Sequence, residues 1–219
     1  MNYAALVTAI SDYTENTFDT VDVNLFITQA EQRIYNTVQF PSLRKNVTGS
    51  VTVSNKYLSC PVDFLAPYSL AVVDGAGAYT YLLNKDVNFI REAYPTPTST
   101  GLPKYYALFG PTTSAGVPTT ELSFILGPTP DTTYTVELHY FYYPESITTA
   151  TTTWLGDNFD SVLLYGALVE AYTYMKGEPD MVTLIGGKYK EALALAKRLG
   201  DGMERQDAYR SGQLRVAVN

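Results

Sequence analysis

Residues 23–60 read VNLFITQAEQRIYNTVQFPSLRKNVTGSVTVSNKYLSC, and the period of their apolar side chains changes partway along. Val23, Phe26, Ile27, Ala30, Ile34 and Val38 recur at the spacing of one helix face. Thr20 or Asp22 is expected to cap that helix, with Glu31, Arg33 and Asn36 on its wet side. Pro41 ends it, because proline disfavours helical geometry in the residue before it. From Val47 the alternation is every second residue, the mark of a strand, and Ser54-Asn55-Lys56 is expected to turn a hairpin.

Toward the N-terminus, Tyr3, Leu6, Val7, Ile10 and Tyr13 predict a short amphipathic helix over residues 3–15. Beyond Cys60 the pattern stays β-rich. Pro61 and Pro67 bracket an irregular link, and Asp74-Gly75 centres a hairpin in SLAVVDGAGAYTYLL. Asp86–Tyr94 forms helical turns stopped by Pro95; KYYALF and ELSFILG are strands, with a long loop over residues 110–120 between them. A further strand has two distinct faces: Tyr134, Val136, Leu138, Tyr140 and Tyr142 form the core face, and Thr135, Glu137, His139, Phe141 and Tyr143 the more polar one.

Past a Thr-rich linker at SITTATTTW, a helix capped by Asp157 or Asn158 returns. Leu164, Leu168, Ala171 and Met175 mark one of its faces; Val162, Tyr165, Val169 and Tyr172 mark the next. A helix apolar around most of its circumference is buried on most sides, so one side is expected to face another subunit. That interface is assigned to Tyr165, Val169 and Tyr172, with Phe141 and Tyr143 from the strand. The last helix carries Leu184, Ile185, Tyr189, Ala192, Leu195 and Leu199, and Gly186-Gly187 within it predicts close packing or a kink. The fold class is therefore α+β. N- and C-terminal helix pairs (1–46 and 155–204) form a four-helix bundle, 47–154 is a β-rich insert, and 205–219 is an extended C-terminal tail.

Composition narrows the function classes. At 46% hydrophobic and 17% charged, the 219 residues can bury a core, and no apolar run approaches the roughly 20 residues of a spanning helix. The start has no basic-then-apolar signal pattern, so Asn46-Val47-Thr48 is a chance sequon. The lone Cys60 excludes an internal disulfide and fits a reducing cytosol. A net charge of -7 argues against a protein that grips nucleic acid, although nucleic acid could slide past it. Residues 197–219 are the exception, at net +2 against -9 elsewhere, and suit an arm that orders on an acidic neighbour or a solvated end. Nineteen tyrosines supply large rings with polar tips, favoured where surfaces bury against partners.

The catalytic options are few. One His and one Cys cannot make a zinc site of the usual kind, and no G-x-S-x-G elbow or phosphate-binding glycine motif is present, so no metal or cofactor is expected. A Glu137–His139 acid/base pair is sterically open, but an ordinary sheet residue or contact explains His139 more simply. Asp157 and Asp160 at a helix start are explained by capping. A glycan- or peptidoglycan-cleaving module, or a sugar-binding tyrosine face, is the alternative reading.

Several segments, in order, carry a resemblance: NLFITQAEQRIYNTVQFPSLRKNVTG, YLSCPVDFLAPYSLAV, LLNKDVNFIREAYP, GLPKYYALF, FILGPTPDTTYTVELHYFYYPES, TWLGDNFDSVLLYGALVEAYTYMKGEPD and KYKEALALAKRLGDGMERQDAYRSGQLR. Together they resemble the head-to-tail adaptor proteins of tailed bacteriophages, similar to the tail tubular protein A group. The resemblance implies a virion protein assembled in the host cytoplasm, in a ring of usually twelve copies. It implies a portal protein above, a tail nozzle or tube below, and DNA passing through the lumen without specific binding. It also implies that the C-terminal segment docks the portal, here through Tyr209, Arg210, Gln213, Leu214 and Arg215. It carries over no active site and no membrane contact.

Overall fold

The computed structural model describes residues 1–96, 98–110, 113–114, 117–118 and 122–210. It divides the chain into two units, one of residues 1–43 and 143–219 and the other of residues 44–142.

The first unit is helical. Helix α1 (Tyr3–Thr14) buries Leu6 and Ile10, two members of its predicted stripe. Helix α2 (Thr20–Thr37) buries Val23, Phe26, Ile27, Ala30 and Ile34, as the period requires; its N-cap is Asp19, rather than Thr20 or Asp22, which lie within the first turn. Glu31 departs from the expected wet face and is 2% exposed. The Thr-rich linker is partly helical: α4 (Ile147–Ala150) is capped by Ser146 and α5 (Trp154–Asn158) by Thr153, so Asp157 and Asn158 lie inside a helix rather than capping one. Helix α6 (Asp160–Tyr174) follows at Phe159 without a side-chain cap and packs on α1 and α2. It also packs on α7 (Pro179–Arg210), whose buried face is Ile185, Tyr189, Ala192 and Ala196. A Cβ at Gly186 or Gly187 would meet no neighbour within 4 Å, so of the two alternatives, close packing or a kink, close packing is not found there. Close contacts fall instead at Gly200 of α7, where a Cβ would lie 3.0 Å from the Gln39 carbonyl oxygen, and at Gly166, where it would lie 3.1 Å from Ala30 Cβ and 3.3 Å from Tyr189 Cε2. The last helix includes residues 205–210, which the sequence reading placed in a tail.

Among the described residues the second unit holds two four-stranded sheets, a two-stranded one and one helix. Sheet A has the order β1-β10-β3-β4, from strands Arg44–Val51 (β1), Ala66–Val73 (β3), Tyr79–Tyr81 (β4) and Tyr134–Phe141 (β10). Sheet B has the order β2-β9-β6-β5, from Tyr57–Ser59 (β2), Leu83–Asn84 (β5), Tyr105–Phe109 (β6) and Ser123–Gly127 (β9). The hairpin at Asp74 forms, with Val73 opposite Tyr79. The one expected at Ser54–Lys56 does not: β1 pairs with β10 and β2 with β9, so the chain changes sheets there. Within the 110–120 loop, Thr113–Ser114 (β7) pairs with Val117–Pro118 (β8); its residues 111–112, 115–116 and 119–120 lie outside the described residues.

The inner faces meet in one core. Val51, Leu70, Val72, Val136, Leu138 and Tyr140 come from sheet A, and Tyr106, Phe124 and Leu126 from sheet B. The other face of sheet B carries Ala107 and Ile125 and is covered by α3 (Val87–Ala93), capped by Asp86, through Ile90. Gly127 allows this approach, since a Cβ there would lie 2.9 Å from both Ile90 and Tyr94. The other face of sheet A is covered by no element of this unit among the described residues. No helix of the described residues is long and apolar enough to cross a membrane.

Candidate functional site

Antiparallel register sets the composition of that uncovered face. Residues directly opposite each other share a face. His139 lies opposite Asn46 and Ser69, and Glu137 opposite Thr48 and Ala71. Ala71 and Val73 in turn oppose Tyr81 and Tyr79. The polar side of β10 is thus continuous with the two tyrosines of β4.

Glu137 is the polar hub. His139 Nε2 lies 2.9 Å from its Oε1, and Asn46 Nδ2 donates to the same oxygen at 3.0 Å. The hydrogen bond from His139 holds the Glu137 carboxyl below its ordinary range; burial opposes it, and the bonds from Asn46 and Tyr79 add to the depression. Reciprocally, the bond to Glu137 raises the Tyr79 phenol. Tyr68, Tyr79, Tyr81, Glu137 and His139 line a cleft of about 420 Å³. Tyr79 and Tyr81 stack with centroids 6.3 Å apart, and Arg44 stands 5.0 Å over the ring of Tyr68 and 5.8 Å over that of Phe141. Glycoside hydrolysis uses two carboxylates, and Glu137 is the one carboxylate that lines this cleft among the described residues. Nor do the described residues include a group of three His, Cys, Asp or Glu side chains placed to hold a metal ion.

On the core side of the same sheet, Asp63 accepts from Lys45 Nζ at 2.7 Å and from the Tyr140 hydroxyl at 2.8 Å. Burial pushes the Asp63 carboxyl up, but these two bonds outweigh it and the carboxyl titrates below its ordinary range. The pair anchors Tyr140, a fully buried ring of the core face.

The residues assigned to a subunit interface divide between the two units, Phe141 in the β unit and Tyr143, Tyr165, Val169 and Tyr172 in the helical one. Tyr165 and Val169 are half-buried on α6. Tyr172 is buried, and its hydroxyl donates to the Tyr13 carbonyl at 2.7 Å, so it is engaged within its own unit. Tyr143 is 38% exposed, with its hydroxyl on Asn36 Oδ1 and its ring 6.4 Å from that of Tyr35. Phe141 belongs to the uncovered face of sheet A, edge-on to Tyr68 at 5.9 Å. Of the docking segment, Tyr209 and Arg210 end helix α7, while Gln213, Leu214 and Arg215 lie outside the described residues. Sequence reading missed Tyr68, Tyr79 and Tyr81 as one surface, because two strands, β3 and β4, bring them together; the alternation of YTY was its only local signal.

The chain belongs to the SU10 adaptor protein family, whose sequence pattern matches residues 1–217. That match bears out the resemblance to phage head-to-tail adaptors and makes the chain a phage adaptor. Comparison with curated proteins finds no match.

Proposed function

We propose that this adaptor forms a ring of about twelve copies between the portal and the tail, extending the channel through which DNA leaves the head. The family match over residues 1–217 carries the reading. The packing of α6 on α1, α2 and α7 supports a helical bundle, which in this reading meets the portal; the β unit contacts the tail nozzle or tube. Helix α7 spans 32 residues, about 48 Å at 1.5 Å per residue, and presents the basic end of an otherwise acidic chain. Tyr209, Arg210, Gln213, Leu214 and Arg215 dock the portal in this arrangement, and Tyr165, Val169, Phe141 and Tyr143 bury against neighbouring subunits. A net charge of -7 lets DNA pass without being held by phosphate contacts. Its role is structural rather than enzymatic.

Imaging of purified particles at side-chain resolution tests this reading. The expected result is a ring of this chain at the neck, close to twelve copies. A neck that lacks the chain refutes it. Three exposed tyrosines around the Glu137 cleft favour sugar stacking as a second reading. A glycan array with no binding removes that one.

A further inference from the structure

We propose that neighbouring copies of this chain join edge to edge through sheet A, with β1 of one copy pairing antiparallel to β4 of the next. The proposal rests on the ring reading above and says how the β units of that ring meet.

The argument starts from the two ends of the sheet. In the order β1-β10-β3-β4, the outer strands each have one strand partner among the described residues. Strand β1 is the unusual one. All eight of its residues pair with β10 without a register break, and residues 45–50 are exposed. An edge this long is a template for another chain, and proteins normally blunt it with proline, a bulge or mid-strand charge. Here the charges are Arg44 and Lys45 at the very start; Asn46–Val51 is uncharged and free of proline. The one register shift in the sheet lies between β10 and β3, away from the edge. At the opposite edge, Tyr79 and Tyr81 of β4 are 53% and 69% exposed.

Strand direction then selects the partner. Every ladder of sheet A is antiparallel, and there are four strands, so β1 and β4 run in opposite directions. A second copy related by rotation about an axis along the strands brings its β4 to β1 antiparallel, continuing the alternation. Two different edges meeting head to tail is the heterologous contact that closes rings. Side-chain sizes agree. Tyr79 and Tyr81 lie on the same face as Asn46, Thr48 and Ser50, whose small side chains leave room for the rings. Thr80 falls on the other face with Val47 and Gly49. Cross-strand pairs of this kind are the stabilising unit of a sheet.

Cysteine pairs test it on rings assembled on portals. Tyr81→Cys is combined in turn with Asn46→Cys, Thr48→Cys or Ser50→Cys, which covers the registers open on that face. Within one copy, β10 and β3 hold the two edges about 14 Å apart, beyond the reach of a disulfide. Any crosslink is therefore between copies. The parent, whose single Cys60 is buried, is the control. At least one pair is expected to give an oxidised ladder on a denaturing gel, rising to the full ring. The unmodified chain supplies a second readout: the amides of 46–50 should exchange at least tenfold more slowly in the ring than in the free chain. Intact rings with no ladder and no slowing overturn the edge pairing and leave the ring standing. Dimers from Thr48→Cys alone indicate β1-to-β1 pairing and also overturn it. Failure of the parent to form rings on portals removes the ring reading, and this proposal with it.

Discussion

Glu31 offers a sharp test of the helical unit. It lies on α2, 2% exposed, and accepts the Ile147 backbone N–H at 3.0 Å. That N–H opens α4, where first-turn donors have no partner inside the helix. The Ser146 side chain bonds the same carboxyl, and Ile147 is fully buried. Glu31→Ala strips both acceptors and leaves a buried donor unpaired, which costs about 2 kcal/mol. For a chain of this size that lowers the melting temperature by about 4–8 °C. Glu31→Gln keeps an acceptor and nearly the same shape, so it should be far milder. The pH dependence separates the two further. Burial raises the Glu31 carboxyl above its ordinary value of 4.5, and the bonds from Ile147 and Ser146 only partly offset this. Between the unfolded and the raised folded pKa, the folded chain holds more protons, so stability is fullest below the lower value and falls as pH rises through the higher one. Glu31→Gln removes that loss, and its melting temperature relative to the parent should climb from pH 4 to pH 7. Circular dichroism melts across that range measure both effects. An alanine variant that melts within 1 °C of the parent, or a glutamine variant as damaging as alanine, refutes the reasoning.

Three further outcomes are expected. Gly166→Ala should destabilise by about 1–3 kcal/mol, because its methyl meets Ala30 and Tyr189 inside the helix packing; Gly186→Ala, with open space around it, should be neutral or stabilise by up to about 1 kcal/mol, and calorimetry that ranks the two alike contradicts this. His139→Ala should raise the Glu137 carboxyl toward its ordinary range, since the His139 bond is the main cause of its depression; the pair's stabilisation is present at neutral pH and lost as pH falls through the depressed folded value. Carboxyl carbon chemical shifts read this titration directly, and an unchanged curve rejects it. Truncation after Met203 should leave the melting temperature within about 1 °C of the parent while assembly onto portals drops; equal assembly by sedimentation removes the docking role of the C-terminal segment.

Local periodicity was a reliable guide on α2 and β10, but not throughout α7, where Leu184, Leu195 and Leu199 of the expected stripe are exposed. The stripe Val23, Phe26, Ile27, Ala30 and Ile34 is buried as read, and the two sides of β10 fall as alternation requires, with Val136, Leu138 and Tyr140 inward. Asp86 caps α3, and Asp74 turns its hairpin by accepting from Ala76 and Ala78, both within four residues. Where the reading failed, the deciding partner was remote. Ser54-Asn55-Lys56 has hairpin chemistry, yet β1 takes its hydrogen bonds from β10, some 90 positions on, and β2 belongs to the other sheet.

What the sequence determined by itself was therefore most of the elements, many of their inward faces and the family, because each rests on short-range spacing or on long ordered segments. The tertiary structure alone decided which sheet each strand joins, that Glu31 is buried against a donor 116 residues away, and that the outer strands β1 and β4 each have one strand partner among the described residues. A side chain's solvent exposure and a strand's partner are properties of the packed molecule. They depend on what distant segments bring to the same place, and no local pattern encodes that.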